Sequence, residues 1–201
     1  MRKTIVILST MAAMAAAAEL TNGLVTWFSF DSAGTNGRVE NKADASYPLT
    51  IVSGATLDAD DAIGGKAISF PGLLDQAATF RSPAMTNCTV AFWYKRGVTD
   101  GPYVVENNVA APYVFSMWSA IRCHVSNVGT GMSFIGNNNE AICSLTGLAA
   151  RNVWTHLLLS FEETARENGR STMETKVYVD GKLYSTTIKT LTVEQGGAGS
   201  A

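Results

Sequence analysis

The sequence predicts an all-β domain of antiparallel strands. Three observations lead there. After residue 18 the apolar residues alternate or cluster in short runs rich in Val, Ile, Thr and aromatics, no long stripe repeats at the helical spacing of 3.6, and Gly, Asn, Asp and Pro punctuate the runs. Many strands joined by tight turns build a sandwich or a barrel, since a single sheet of this size leaves an apolar face in water.

Residues 1–18 stand apart from that pattern. Arg2 and Lys3 form a short positive region, a largely apolar run follows, and Ala16, Ala17 and Ala18 are small residues of the kind a signal peptidase accepts. The run is about 15 residues, short of the roughly 20 that span a bilayer. The expectation is therefore an export leader over residues 1–18, a mature chain starting at Glu19, and a secreted, extracellular or periplasmic location. The remaining residues suit one domain, 19–201, large enough to bury a continuous core without metals or crosslinks.

The predicted strands follow in order as residues 24–30, 47–52, 67–70, 77–80, 89–95, 113–124, 132–135, 155–161, 175–179 and 182–189. Gly64-Gly65, Asp100-Gly101 and Asp180-Gly181 supply positive φ at little steric cost, and Asp180-Gly181 predicts a two-residue hairpin. Residues 32–46 and 136–140 are polar loops. Residues 162–171 carry Glu162, Glu163, Arg166, Glu167 and Arg170 with no apolar face, which predicts a solvated loop.

Charge narrows the partners. The chain carries a formal charge of −2, more negative once Arg2 and Lys3 are removed, and its cations are scattered among acids. Phosphate binding needs clustered cations that displace counterions, so nucleic acid is not the expected partner. Three cysteines follow the leader. In an oxidising compartment Cys123 and Cys143, near the end of one predicted strand and just after the next, form the expected bridge, although pairing cannot be read from sequence. Cys88 then remains as a small buried apolar side chain.

Several segments, in order, resemble one family. Gly23-Leu24-Val25-Thr26-Trp27-Phe28-Ser29-Phe30-Asp31 is similar to the opening strand of laminin-G-like, concanavalin A-like lectin/glucanase jelly rolls. Lys66-Ala67-Ile68-Ser69-Phe70, followed by Gly72, resembles its Phe-x-Gly strand, and Thr89-Val90-Ala91-Phe92-Trp93-Tyr94-Lys95 its central strand with a buried Trp. Trp154-Thr155-His156-Leu157 and Val177-Tyr178-Val179-Asp180-Gly181-Lys182 look like its Trp-x-His strand and its Tyr-Val-Asp-Gly hairpin. The resemblance runs from residue 23 to about 187. It implies a two-sheet antiparallel jelly-roll sandwich with Trp93 and Trp154 packed between the sheets. The family usually closes with a further strand or two beside the first. Here the hairpin is followed by Gly196-Gly197-Ala198-Gly199-Ser200-Ala201, so the opening strand is expected to lack a neighbour and to invite edge association.

The resemblance also implies a recognition or adhesion module, with carbohydrate as the ligand class. Tyr103, Tyr113 and Trp118 are candidate stacking rings and Asn107 and Asn108 candidate partners for hydroxyls. The partner is then a glycan or, in the competing reading, an extracellular protein within a larger surface assembly. Calcium is the candidate metal, with Asp31 and Asp75 as hard oxygen ligands, although Leu73 and Leu74 stand where family members commonly carry acids. A degenerate glucanase is the third reading. Retaining glycosidases need two carboxyls about 5 Å apart across the sugar, and no Glu-x-Asp-x-(x)-Glu run supplies them, so no enzyme activity is expected. His124 and His156 both fall in predicted strands without a Gly-x-Ser-x-Gly elbow.

Overall fold

The structure is a computed structural model and describes residues 3–6, 24–52, 54–58, 62–70, 77–81, 87–97, 113–117, 121–125, 131–136, 141–148 and 150–192. Among these the chain is all-β, apart from a single 3-10 turn at Thr35–Gly37. The strands in chain order are β1 (Lys3–Val6), β2 (Leu24–Thr26), β3 (Arg38–Val39), β4 (Leu49–Val52), β5 (Thr56–Asp58), β6 (Ala67–Ser69), β7 (Ala77–Thr79), β8 (Cys88–Lys95), β9 (Tyr113–Met117), β10 (Ile121–Val125), β11 (Met132–Gly136), β12 (Ala141–Leu145), β13 (Trp154–Glu167), β14 (Arg170–Val179) and β15 (Lys182–Thr192). They form a six-stranded sheet in the order β15-β14-β13-β8-β1-β2, a four-stranded sheet β12-β11-β10-β9, and smaller sheets β3-β4-β7 and β5-β6.

The central strand β13 follows from its own alternation. Thr155, Leu157, Leu159 and Phe161 are buried while Trp154, His156, Leu158 and Ser160 between them are only partly so, the period-two pattern of a strand with one core face. Leu157, Leu159 and Phe161 meet Val90 and Phe92 of β8, Val177 of β14, Leu191 of β15, and Cys123, Met132, Phe134 and Ile142 of the four-stranded sheet in one core. Each such apolar side chain contributes about 1.5–3 kcal/mol on burial. A second, smaller core gathers Phe28, Val39, Leu49 and Phe80, with Phe80 edge-on to Phe28 at a ring separation of 5.4 Å.

Two hairpins order the long strands. Asp180 (φ 48°) and Gly181 (φ 80°) turn β14 into β15 as the sequence predicts. The polar segment 162–171 is not a loop. β13 continues to Glu167, Asn168 (φ 50°) and Gly169 (φ 73°) make the turn, and β14 starts at Arg170. Asn-Gly is the strongest short hairpin signal, and it outweighs the missing apolar face because the two strands pair with each other along their whole length. The single predicted run 113–124 is likewise two antiparallel strands, β9 and β10, which pair through Ile121↔Met117 and Cys123↔Phe115.

Three other expectations are corrected. Trp93 and Trp154 do not lie between the sheets: both are half-buried and belong to the opposite parity from the core residues of their strands. Cys123 and Cys143 do not bridge. Phe134 of β11 is aligned with both and lies between them, so two strand spacings of about 4.8 Å separate their backbones, beyond the roughly 7 Å a disulfide tolerates. All three cysteines are free thiols. Burial pushes the Cys88 thiol up to about 11 and Cys123 higher still; Cys143 is also raised, by burial, with a hydrogen bond to Thr187 opposing.

The opening strand is also shorter than expected, and the one strand beside it among the described residues is β1. β2 ends at Thr26. Beyond it, the buried Asn41 accepts the Trp27 N–H at 2.9 Å through Oδ1 and donates through Nδ2 to the Val25 carbonyl at 3.2 Å, while the Lys42 N–H donates to the Trp27 carbonyl at 2.8 Å. On its other side lies β1, within the segment whose sequence reads as a leader, and β1 runs parallel to both β2 and β8.

Candidate functional site

The second face of the six-stranded sheet carries the polar and aromatic parity of the same strands. The pairing of β8 with β13 places Lys95 opposite Trp154, Trp93 opposite His156 and Ala91 opposite Leu158. The Trp93 and His156 rings lie 5.1 Å apart, tilted by 57°. The Lys95 Nζ stands 5.3 Å from the centre of the Trp154 ring, within range of a cation–π contact. Two indoles, an imidazole and an ammonium are thus gathered at one end of the sheet, outside its core.

The Asp180-Gly181 turn fixes this end. The His156 N–H donates to the Asp180 carboxylate at 2.9 Å, and the Asp180 N–H donates to the His156 carbonyl at 2.9 Å. The tip of one hairpin is therefore locked to the backbone of β13 at the residue carrying the imidazole. Burial holds the His156 pKa below its usual range, and the Asp180 carboxylate pulls it partly back. The ring is consequently neutral at pH 7, able to donate one hydrogen bond and accept another. Behind it, Asn152 (φ 57°) donates its N–H to the Arg96 carbonyl at 2.8 Å, next to a single bridge joining Arg96 and Arg151.

Further along the same face Glu162 is paired with Glu174, and Glu174 holds Lys176 at 2.8 Å. Glu163 belongs to a separate cluster: Arg166 donates to it at 2.6 Å, Ser171 donates to the same carboxylate, and these bonds hold its pKa below the usual carboxylate range.

The residues named from sequence fall differently. Tyr103, Asn107, Asn108, Trp118 and Asp75 lie outside the described residues. Tyr113 is the first residue of β9, and nothing is described of its side chain. Asp31 is exposed at a bend after Phe30, which has φ 61°. Among the described residues no group of three or more His, Cys, Asp or Glu side chains could hold a metal.

The resemblance places Trp93 and Trp154 in the core, where large aromatics in strands usually lie. Parity carried the better signal. Trp93 shares its parity with Thr89, Ala91 and Lys95, whereas Val90 and Phe92 share the other; Trp154 and His156 share theirs with Leu158 and Ser160, whereas Leu157, Leu159 and Phe161 share the other.

Comparison with protein families, with curated proteins and with solved structures finds no match to this chain.

Proposed function

We propose that this chain is an exported, non-enzymatic recognition module of jelly-roll architecture whose ligand is a carbohydrate, bound at the Trp93, Trp154 and His156 end of the six-stranded sheet. The observation that carries this reading is the collection of two half-buried indoles beside an imidazole on the sheet face opposite the main core. Flat rings suit the apolar faces of pyranoses, and the imidazole and the Lys95 ammonium supply donors for hydroxyls. A site on strands needs little ordering when a ligand arrives, which lowers the entropy lost on binding.

A glycan array probed with the purified chain, with calcium and with chelator, tests the reading. Binding to a defined glycan is expected, together with a tenfold or greater weakening, about 1.4 kcal/mol, in Trp93→Ala and Trp154→Ala while cooperative unfolding persists. Absence of binding to every glycan would favour a protein partner instead, and equal binding by both variants would place any sugar site elsewhere. Hydrolysis of a β-glucan would restore the glucanase reading.

A further inference from the structure

The six-stranded sheet contains one anomaly. β15, β14, β13 and β8 alternate in direction, each antiparallel to the next. β1 then pairs parallel with β8 through Lys3↔Cys88, Thr4↔Thr89, Ile5↔Val90 and Val6↔Ala91, and parallel with β2 through Thr4↔Leu24 and Ile5↔Thr26, with a register shift between the two. β8 and β2 therefore run the same way, with a gap one strand wide between them that Lys3–Val6 fills. β2 is committed on its far side to Asn41 and Lys42, so its pairing needs on the near side are met only by what occupies this gap.

We propose that the gap between β2 and β8 is a strand-accepting site, held by the chain's own N-terminal segment until cleavage after Ala18 and afterwards by an extended strand of a partner polypeptide. The proposal rests on the export reading of residues 1–18. Loss of that segment leaves two facing rows of backbone donors and acceptors, one of them the edge of the remaining strands β15-β14-β13-β8, which strongly favour a new strand over water. An entering strand that runs antiparallel to both neighbours restores the alternation of the sheet and gains the slightly more stable pairing.

The site also states the side chain it prefers. Ile5 is aligned with Val90 on one side and Thr26 on the other, and both of those side chains are fully buried. Among the described residues the Thr26 hydroxyl has no hydrogen-bond partner. Buried hydroxyls are rarely left so, and an aliphatic residue at the aligned position cannot supply the bond. A threonine or serine aligned with Thr26 brings the hydroxyl that this position lacks. The partner strand is therefore β-branched and carries threonine or serine at this one position.

The test uses the full chain, its Ile5→Pro variant, and the product recovered after export, whose mass shows whether residues 1–18 are removed. The probes are fluorescein-labelled peptides with the sequence of residues 1–10, unchanged or with threonine or proline at the fifth position. Proline at Ile5 removes a backbone donor within a central strand and should expel β1. The full chain should ignore all three peptides, while the Ile5→Pro chain and the cleaved product should raise the anisotropy of the unchanged peptide saturably. The threonine peptide should bind about tenfold more tightly and the proline peptide not at all. A folded Ile5→Pro chain or cleaved product that binds no peptide overturns the proposal. So does an exported chain that keeps residues 1–18 together with an Ile5→Pro chain that does not fold, since β1 is then a permanent strand. An uncleaved export product beside a peptide-binding Ile5→Pro chain defeats the export reading alone and leaves the strand site standing. Exchange of the cleaved chain into a dimer, without peptide uptake, identifies a second copy as the occupant in place of a partner and overturns the proposal as stated.

Discussion

The long strands β13–β15 and the short strands β2–β7 are stabilised by different means. β13, β14 and β15 are 14, 10 and 11 residues long, pair with one another nearly end to end, and contribute Leu157, Leu159, Phe161, Val177 and Leu191 to one core. None of β2–β7 exceeds four residues. That region relies on the four buried residues Phe28, Val39, Leu49 and Phe80 and on the side chain of Asn41, which does for β2 what a neighbouring strand would do. Ladders of backbone bonds make a region robust to the loss of any one side chain contact outside its core. A region with short ladders concentrates its stability in a few side chains.

The largest effect is expected at the centre of the long-strand core. Leu157→Ala should lower the unfolding free energy by about 2–5 kcal/mol, because Leu157 is fully buried among residues of both large sheets and the cavity cannot collapse without moving them. Denaturant titration measures this, and a loss under 1 kcal/mol would mean that the two sheets are not tightly packed.

A smaller loss, about 1–3 kcal/mol, is expected for Asn41→Ala, which leaves the Trp27 N–H and the Val25 carbonyl without their partner. Its sharper signature is regional. Hydrogen exchange should quicken over residues 24–52 and stay unchanged over residues 154–192, and a uniform change would show that the two regions unfold as one unit.

The smallest effect comes from pH. His156 has a folded pKa below its unfolded value of about 6.5, so the stability it contributes is complete above that value and is lost as pH falls below it. Glu163 is also depressed, so its contribution is complete above its unfolded value of about 4.5 and is lost as pH falls further. Unfolding measured at pH 7, 5.5 and 4 should therefore decline in two steps. His156→Gln should remove the upper step only; persistence of that step would assign it to another group.

Much of the architecture was legible before any coordinates. Alternation placed β8 and β13, and Asp180-Gly181 placed the last hairpin, because the signals for both are local. The hairpin at Asn168-Gly169 was equally legible, yet the charge of its flanks hid it: a polar segment reads as a loop when burial is the only criterion, whereas a paired strand needs no buried face at its end. The candidate site was legible only in its residue types. Trp93, His156 and Trp154 come from two segments some sixty residues apart, and their meeting depends on the register of β8 against β13.

The sequence by itself determined the β class, the parity of each strand and the two-residue turns, since these depend on side-chain alternation and on φ at neighbouring residues. Tertiary structure alone decided that β11 separates Cys123 from Cys143 and that Lys3–Val6 lies between β2 and β8. Those outcomes turn on which strands become neighbours, and a strand's own residues carry its pairing edges without naming the chain segment that will meet them.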